Sequence, residues 1–586
     1  MALLHFRALF TKDIDRENVL LLLVVASVVF LIVFISLKGQ RNSSSRPDLP
    51  WVGRNEKAWF IRNIRTRLWN MMNYEQALRL AYDNYARHNR PCILATLDGD
   101  VVLLPPSSIP WMISQPEHVL SVNGAHKHIL QTKYTFPRPE IMDPTVHFDV
   151  IKSELTRQVF AVTPDVCDEM AAAVDEIWGK NTKNFEDIKL FDSITKIIAR
   201  TSNRVFVGLP LCRNEHYLEN AIGFAEDIAL SATVLRLFPG PIRSLVAPIV
   251  TYPNRKHTRS YTKILTPEIL RRQQLQQGGA NLEDVENDGA KASGKETGAE
   301  RNDFLQWLLT RSLRKSHVFP DEADPDIICA RLLHTNFASV HTTSFIGTNA
   351  ILDILATPPS EGVVDKLRAE ALATMDTDDE SEPGSKMWSR TSLGNMHFLD
   401  SALRESSRRA SIIGVGVNHK VIVPGGVTTP DGTHLPEGCM VAVHSWGLHN
   451  DEGIYAGAGG YRPFRFVELR DQIGECPGEN DMAESAAKEK EKAYLDKAHL
   501  QFIATSPTYL GFGHGRHSCP GRFFAANELK LLIAYLLTRY DIHMVMEGGV
   551  SGNWNGEGVR PECFWAGPNH IPPMGAKVSV RRRSEV

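Results

Sequence analysis

Val19–Leu37 is a nineteen-residue apolar run without a charge, long enough to cross a bilayer as a helix. Beyond it the apolar positions change period. Trp59–Arg87 follows the 3.6-residue repeat of a half-buried helix. Pro91–Thr96 and Asp100–Leu104 alternate as strands, and Leu97-Asp98-Gly99 between them is a hairpin signal. Thr163-Pro164 predicts a helix start, a capping hydroxyl before a first-turn proline, with the helix running to about Trp178. Ile188, Phe191, Ile194 and Ile198 continue the helical spacing to Arg204. Asp326–Ala356 is the longest helical stretch, ~45 Å at ~1.5 Å per residue. Its apolar residues surround most of its circumference, so it is expected to be buried. Leu529, Leu532, Ile533, Leu536 and Leu537 lie on one face of a further helix, Arg522–Tyr540. Short strands are expected at Val421–Val423, Thr428-Thr429, Met440–Val443 and Lys577–Val580. The reading is a mainly α protein with small β-sheets.

Two stretches lack the pattern. Residues 273–301 are rich in Gln, Gly, Asn, Glu and Ala and are expected to form a disordered surface insertion. Glu479–Lys497 reads as a second solvated insertion. Neither divides the chain, so residues 54–586 are taken as one domain. Lys38, Arg41 and Arg46 follow the apolar run, whereas residues 1–18 carry three basic and three acidic groups. This asymmetry predicts a luminal N-terminus (1–18), a single transmembrane anchor (19–37), a Pro47/Pro50 linker (38–53) and a cytoplasmic body. On that topology the Asn42-Ser43-Ser44 sequon stays bare.

The net charge of −3 gives no sign of nucleic-acid binding. Eight cysteines are scattered without CxxC or zinc spacing, which suits a reducing compartment. One of them stands apart. Cys519 lies in Phe512-Gly513-His514-Gly515-Arg516-His517-Ser518-Cys519-Pro520-Gly521, where glycines let backbone approach a flat group closely. Pro520 fits the first position of the following helix, placing Cys519 at a helix N-terminus that favours a thiolate. A thiolate so placed suits haem iron. The same run is a poor dinucleotide fingerprint, since no strand–helix unit with a downstream acid surrounds it. In the middle of the long helix stands Ala338-Ser339-Val340-His341-Thr342-Thr343. Glu405 and Arg408, three apart, share a helix face and can pair.

Taken together, these motifs resemble the cytochrome P450 family over roughly residues 50–580. The loop matches Phe-x-x-Gly-x-His-x-Cys-Pro-Gly, with His517 where arginine is usual. The long helix resembles the family's Ala-Gly-x-Asp/Glu-Thr-Thr, with Ser339 for glycine and His341 for the acid. Glu405-x-x-Arg408 and Pro463-Phe464-Arg465-Phe466 follow in the family's order. The resemblance implies haem b with Cys519 as axial ligand. It places Phe512, Gly513, His517 and Gly521 around the cofactor, His517 donating to a propionate. Thr342 and His341 are implied in proton delivery, and Glu405, Arg408 and Arg465 in a buried structural triad. With no flavin or nicotinamide module in sight, it implies NADPH-cytochrome P450 reductase and cytochrome b5 as partners. The expected activity is oxidation of a lipophilic molecule by O2 at the endoplasmic reticulum membrane. His-Thr-Thr with Arg-His-Ser-Cys-Pro-Gly is similar to fungal terpenoid and steroid hydroxylases, including ent-kaurene oxidase-like members. Two other readings stand beside it: a haem-thiolate isomerase or dehydratase needing no external electrons, and a non-catalytic membrane-tethered binding protein.

Overall fold

The computed structural model describes residues 47–54, 62–280, 301–316, 319–376, 387–473, 492–545 and 560–584. The anchor, its flanks and residues 281–300 and 479–491 of the two insertions lie outside these. Among the described residues no helix is long and apolar enough to cross a membrane.

The hairpin after Pro91 forms as β1 (Cys92–Thr96) and β2 (Gly99–Leu104), in antiparallel register from Cys92 opposite Leu103 to Thr96 opposite Gly99. It begins a five-stranded sheet with β3 (Leu120–Ser121), β5 (Gly416–Val421) and β6 (Met440–Val443), in the order β1-β2-β6-β5-β3. β2 and β6 run parallel, and Leu104 faces Val443. A second sheet joins β4 (Glu186–Lys189), β8 (Lys577–Arg582) and β7 (Tyr540–Val545) in that order. Ile188, expected on a helix, belongs to β4 and pairs with Val578.

Helices make up the rest. Trp59–Arg87 breaks at Asn73 into α1 (Arg62–Met72) and α2 (Tyr74–Asn84). α3 (Val122–Leu130) precedes α4 (Thr156–Ile177), α5 (Leu190–Phe206), α6 (Glu215–Arg236), α7 (Gly240–Val250) and α8 (Tyr252–Ala280). α9 (Pro325–Leu355), α10 (His397–Arg409) and α11 (Arg522–Arg539) complete the core. α9 runs through the middle, packed on α5, α6, α8, α10 and α11. That explains why it is apolar nearly all round.

Three local signals were overridden. Thr163-Pro164 does not start a helix; Pro164 lies inside α4. Val159, Val162 and Val166 bury one continuous face, and the Thr163 hydroxyl donates to the Val159 carbonyl at 2.6 Å. That burial outweighs a cost of ~3 kcal/mol for an internal proline. The polar stretch from Gln273 begins as helix, since α8 reaches Ala280. Gln273 donates to the Ala323 carbonyl at 2.7 Å and Gln276 to Thr310 at 3.2 Å, so these glutamines dock on neighbours. Residues 492–498, at the end of the second insertion, are also helical. Finally, α11 starts at Arg522 with Gly521 at its N-cap, leaving Pro520 in the preceding turn.

Candidate functional site

The cysteine loop folds back on itself. The Cys519 amide donates to the Phe512 carbonyl at 2.8 Å, and the Gly513 amide donates to Leu510 at 2.9 Å. Gly513 and Gly515 sit at φ +68° and +75°, which favours glycine at both; a Cβ on Gly515 would come within 2.9 Å of Ile113. Phe512 is buried and meets Phe502 edge-on at 5.0 Å. Burial pushes the Cys519 thiol up, while amides of Gly521 and Arg522 and the Arg522 charge pull it down. The sulfur thus already has the donors a thiolate needs. Apart from its chain neighbours, no atom of the described residues lies within 4 Å of where a Gly521 Cβ would stand.

His517 lies 3.6 Å from Glu117, which accepts from the amides that begin α3. Burial holds His517 below the usual imidazole range; Glu117 opposes this, and Arg516 and Lys152 add to it. His126 and His419 feel the same neighbours, His517 and Glu117, and burial lowers both. Three histidines, a lysine and an arginine therefore converge around one carboxylate.

On α9, Ala338 and Thr342 are exposed although most of the helix is buried. The Thr342 hydroxyl donates to the Ala338 carbonyl at 2.7 Å and lies 3.3 Å from that of Ser339. His341 points elsewhere. Its ring nitrogens have no hydrogen-bond partner among the described residues, and it lies 3.7 Å from Glu226 of α6. Ser339 faces α5: its hydroxyl is 3.3 Å from that of Ser202, which bonds the Glu528 carboxyl of α11 at 2.9 Å. Burial pushes the Glu528 carboxyl up to about 8, with Ser202 opposing it, so it carries its proton at neutral pH.

Glu405, Arg408 and Arg465 meet in full burial. Arg408 grips both oxygens of Glu405 at 2.8 Å, and Arg465 donates to one at 3.0 Å. Arg465 also binds the Ala456 carbonyl and Arg408 that of Ala458, tying α10 to the segment approaching the cysteine loop.

The residues fit a haem. A thiol with two amide donors, an exposed alanine–threonine step in a buried helix and a cluster of histidine, lysine and arginine donors match an iron, a flat macrocycle and two propionates. Glu528, Ser202, Glu117, Lys152, His126 and His419 were not singled out from the sequence. Glu528 had a signal, a lone acid among Leu529, Leu531, Leu532 and Ile533. The others lie on separate elements and meet only through the fold.

Comparison with known proteins agrees. The cytochrome P450 family pattern matches residues 151–559. "Cytochrome P450 monooxygenase 151" of Postia placenta is 32% identical over 470 residues, 80% of this chain and 82% of that one. "Cytochrome P450 monooxygenase astC" of Aspergillus terreus is 30% identical over 524 residues, 89% of each. Among solved structures, retinoic acid-bound cyanobacterial CYP120A1 superposes with a TM-score of 0.56 at 13% identity, covering 91% of this chain and all of that one. The chain belongs to the cytochrome P450 family, oxidoreductases that carry haem with a cysteine thiolate on the iron.

Proposed function

We propose that Cys519 is the thiolate ligand and that the protein is a monooxygenase of fungal secondary metabolism acting on a lipophilic, terpenoid- or steroid-like molecule. The observation that carries the reading is the Cys519 sulfur, served by the Gly521 and Arg522 amides beside α11. Haem held there supplies the redox chemistry that lets O2 oxidise an unactivated C–H bond. Lys152 and Arg516 would hold the propionates by charge, with His517, His126 and His419 as hydrogen-bond donors. Phe512 and Gly513 shape the cysteine loop, and Glu405, Arg408 and Arg465 fix its approach. Electrons come from an NADPH-dependent reductase, with cytochrome b5 as an auxiliary donor. Residues 19–37 anchor the chain in the endoplasmic reticulum membrane.

Thr342 orients a proton toward the reacting oxygen, since its hydroxyl both donates and accepts. Two groups stand behind it. His341, beside Glu226, occupies the position of the family's usual acid. On the other side, Glu528, Ser202 and Ser339 form a line of exchangeable protons that ends at the Ser339 hydroxyl, one helical turn before Thr342. A protonated Glu528 can donate to Ser202, whose hydroxyl then turns to Ser339.

Cys519→Ala is expected to lose the long-wavelength Soret band of the reduced carbon monoxide complex and all turnover. A mutant that keeps that band would overturn the assignment. Turnover is tested by product formation from terpenoid and steroid candidates with NADPH and reductase. Deleting residues 1–45 is expected to release much of the protein from membranes with its haem spectrum intact.

A further inference from the structure

Between α3, the short helix Thr132–Thr135, α7 and β5 lies a cavity of about 610 Å³. Lys127, His128, Lys133, Arg243 and Lys420 line it, and the carboxylate in its wall is Glu140. Glu140 is already paired with Arg138. Lys127 pairs with Asp143, but neither Lys133 nor Lys420 forms an ion pair among the described residues. Arg243 is held in place by Gln131 at 2.7 Å and by the carbonyls of Leu235 and Phe238 at 3.0 and 2.9 Å. The resulting field is positive. His128 is pushed down to about 4 by burial and then by Lys420, Arg236 and Arg243. In a chain of net charge −3, this is a local concentration of uncompensated cations.

The helix that supplies Arg243 also carries an apolar ridge. Leu245 and Ile249 of α7, four apart and so on one face, are 77% and 78% exposed. Arg243, two residues before Leu245, turns the other way into the cavity. The Ser244 hydroxyl lies 2.9 Å from that of Tyr134 in the cavity wall, which ties α7 to the pocket. A small anion alone would satisfy the cations and leave the ridge bare. An amphiphile with an anionic head satisfies both. The wall shares no residue with the Cys519–Thr342 site, which argues against a molecule being oxidised there.

We infer that this pocket binds the phosphate headgroup of an anionic phospholipid, with Leu245 and Ile249 resting among its acyl chains. The lysines are adaptable point charges suited to a phosphate, and the pinned Arg243 supplies a fixed fork. The site stands independently of the functional reading above.

The test uses the full-length holoprotein in uncharged detergent micelles, titrated calorimetrically with dihexanoyl phosphatidic acid. Saturable binding is expected for this lipid and not for dihexanoyl phosphatidylcholine. Lys133→Gln/Lys420→Gln is expected to weaken it roughly tenfold or more, since each basic residue near a lipid surface contributes appreciably. The haem spectrum should be unchanged in that variant. A control pair, Lys492→Gln/Lys497→Gln, should bind as wild type. Should the double variant misfold, Lys133→Gln and Lys420→Gln singly should each weaken binding several-fold. Equal response to the two lipids, or indifference to the pocket lysines, would overturn the inference. Inorganic phosphate binding as tightly as the lipid would reduce the site to a free-anion pocket. Dodecanoate that competes through these lysines and shifts the haem spectrum would make it a substrate anchor and overturn the lipid assignment.

Discussion

Glu405 and Glu528 are both fully buried, yet they sit in opposite surroundings. Glu405 is gripped by two guanidinium groups, and those arginines reach on to backbone carbonyls. Glu528 has the single hydroxyl of Ser202 and is pushed up to about 8 by burial. The same side chain is thus a fixed structural charge at one site and a held proton at the other. Burial alone decides neither outcome; the number of cationic partners does.

Removing each carboxyl should separate the two roles. Glu405→Ala leaves Arg408 and Arg465 buried without their counter-charge and is expected to cost ~3–5 kcal/mol. Haem content and folded yield should collapse, read from the ratio of Soret to protein absorbance and from urea unfolding. Glu528→Gln keeps a hydrogen-bonding partner for Ser202 and removes no charge at neutral pH. It should stay within ~1 kcal/mol of wild type. Equal losses in the two variants would refute the distinction.

pH should expose it next. His334, His444 and His449 are buried and neutral, with imidazoles pushed to about 3, 4 and 3. Burial is the main cause in all three; His126 and Arg331 add to it at His334, and Arg408 and Arg404 at His449. Each folded value lies below an unfolded value of ~6.5, so the unfolded chain takes up protons first as pH falls. Their contribution is complete above ~6.5 and shrinks by about 2 kcal/mol each between pH 7 and pH 5. Glu528 runs the other way. Its folded value lies above an unfolded ~4.3, so acidification over the same interval returns about 2.5 kcal/mol. From these four groups the net loss should be ~3–4 kcal/mol for the wild type and ~6 kcal/mol for Glu528→Gln. Urea midpoints at the two pH values check this; a variant with wild-type pH dependence would mean Glu528 is ionised when folded.

How legible these regions were follows from the same physics. The cysteine loop and the Glu405/Arg408 pair announce themselves because their residues are neighbours in sequence, within one turn of a loop or helix. α9 was legible because its apolar residues leave almost no polar face. Arg465 required order along the chain as well. The line from Glu528 through Ser202 to Ser339 crosses three helices, and serine in a helix is ordinarily a mild misfit satisfied by its own backbone. Nothing in the local pattern around Ser202 marks it. Thr163-Pro164 misled for a related reason: a local start signal lost to a helix that begins seven residues upstream at Thr156 and buries Val159 and Val162.

The smallest effects bear on how the held proton is used. Thr342→Ala removes the hydroxyl proposed to orient the proton and should cut product formed per NADPH about tenfold or more, the difference appearing as peroxide. Thr342→Ser should be milder. His341→Ala should cost less than Thr342→Ala unless His341, beside Glu226, has taken over the missing acid's task. Ser339→Gly restores the residue usual in the family and deletes the link between Ser202 and α9. If water alone bridged the gap, coupling would be unchanged. If the Ser339 hydroxyl carries the proton, coupling should fall about two- to threefold while haem content and substrate binding hold. Glu528→Gln should fall by the same amount, and Ser339→Gly/Glu528→Gln by no more than either alone, because both cut one line. Additive losses would mean that the two residues act separately and that Glu528 is only a buried acid.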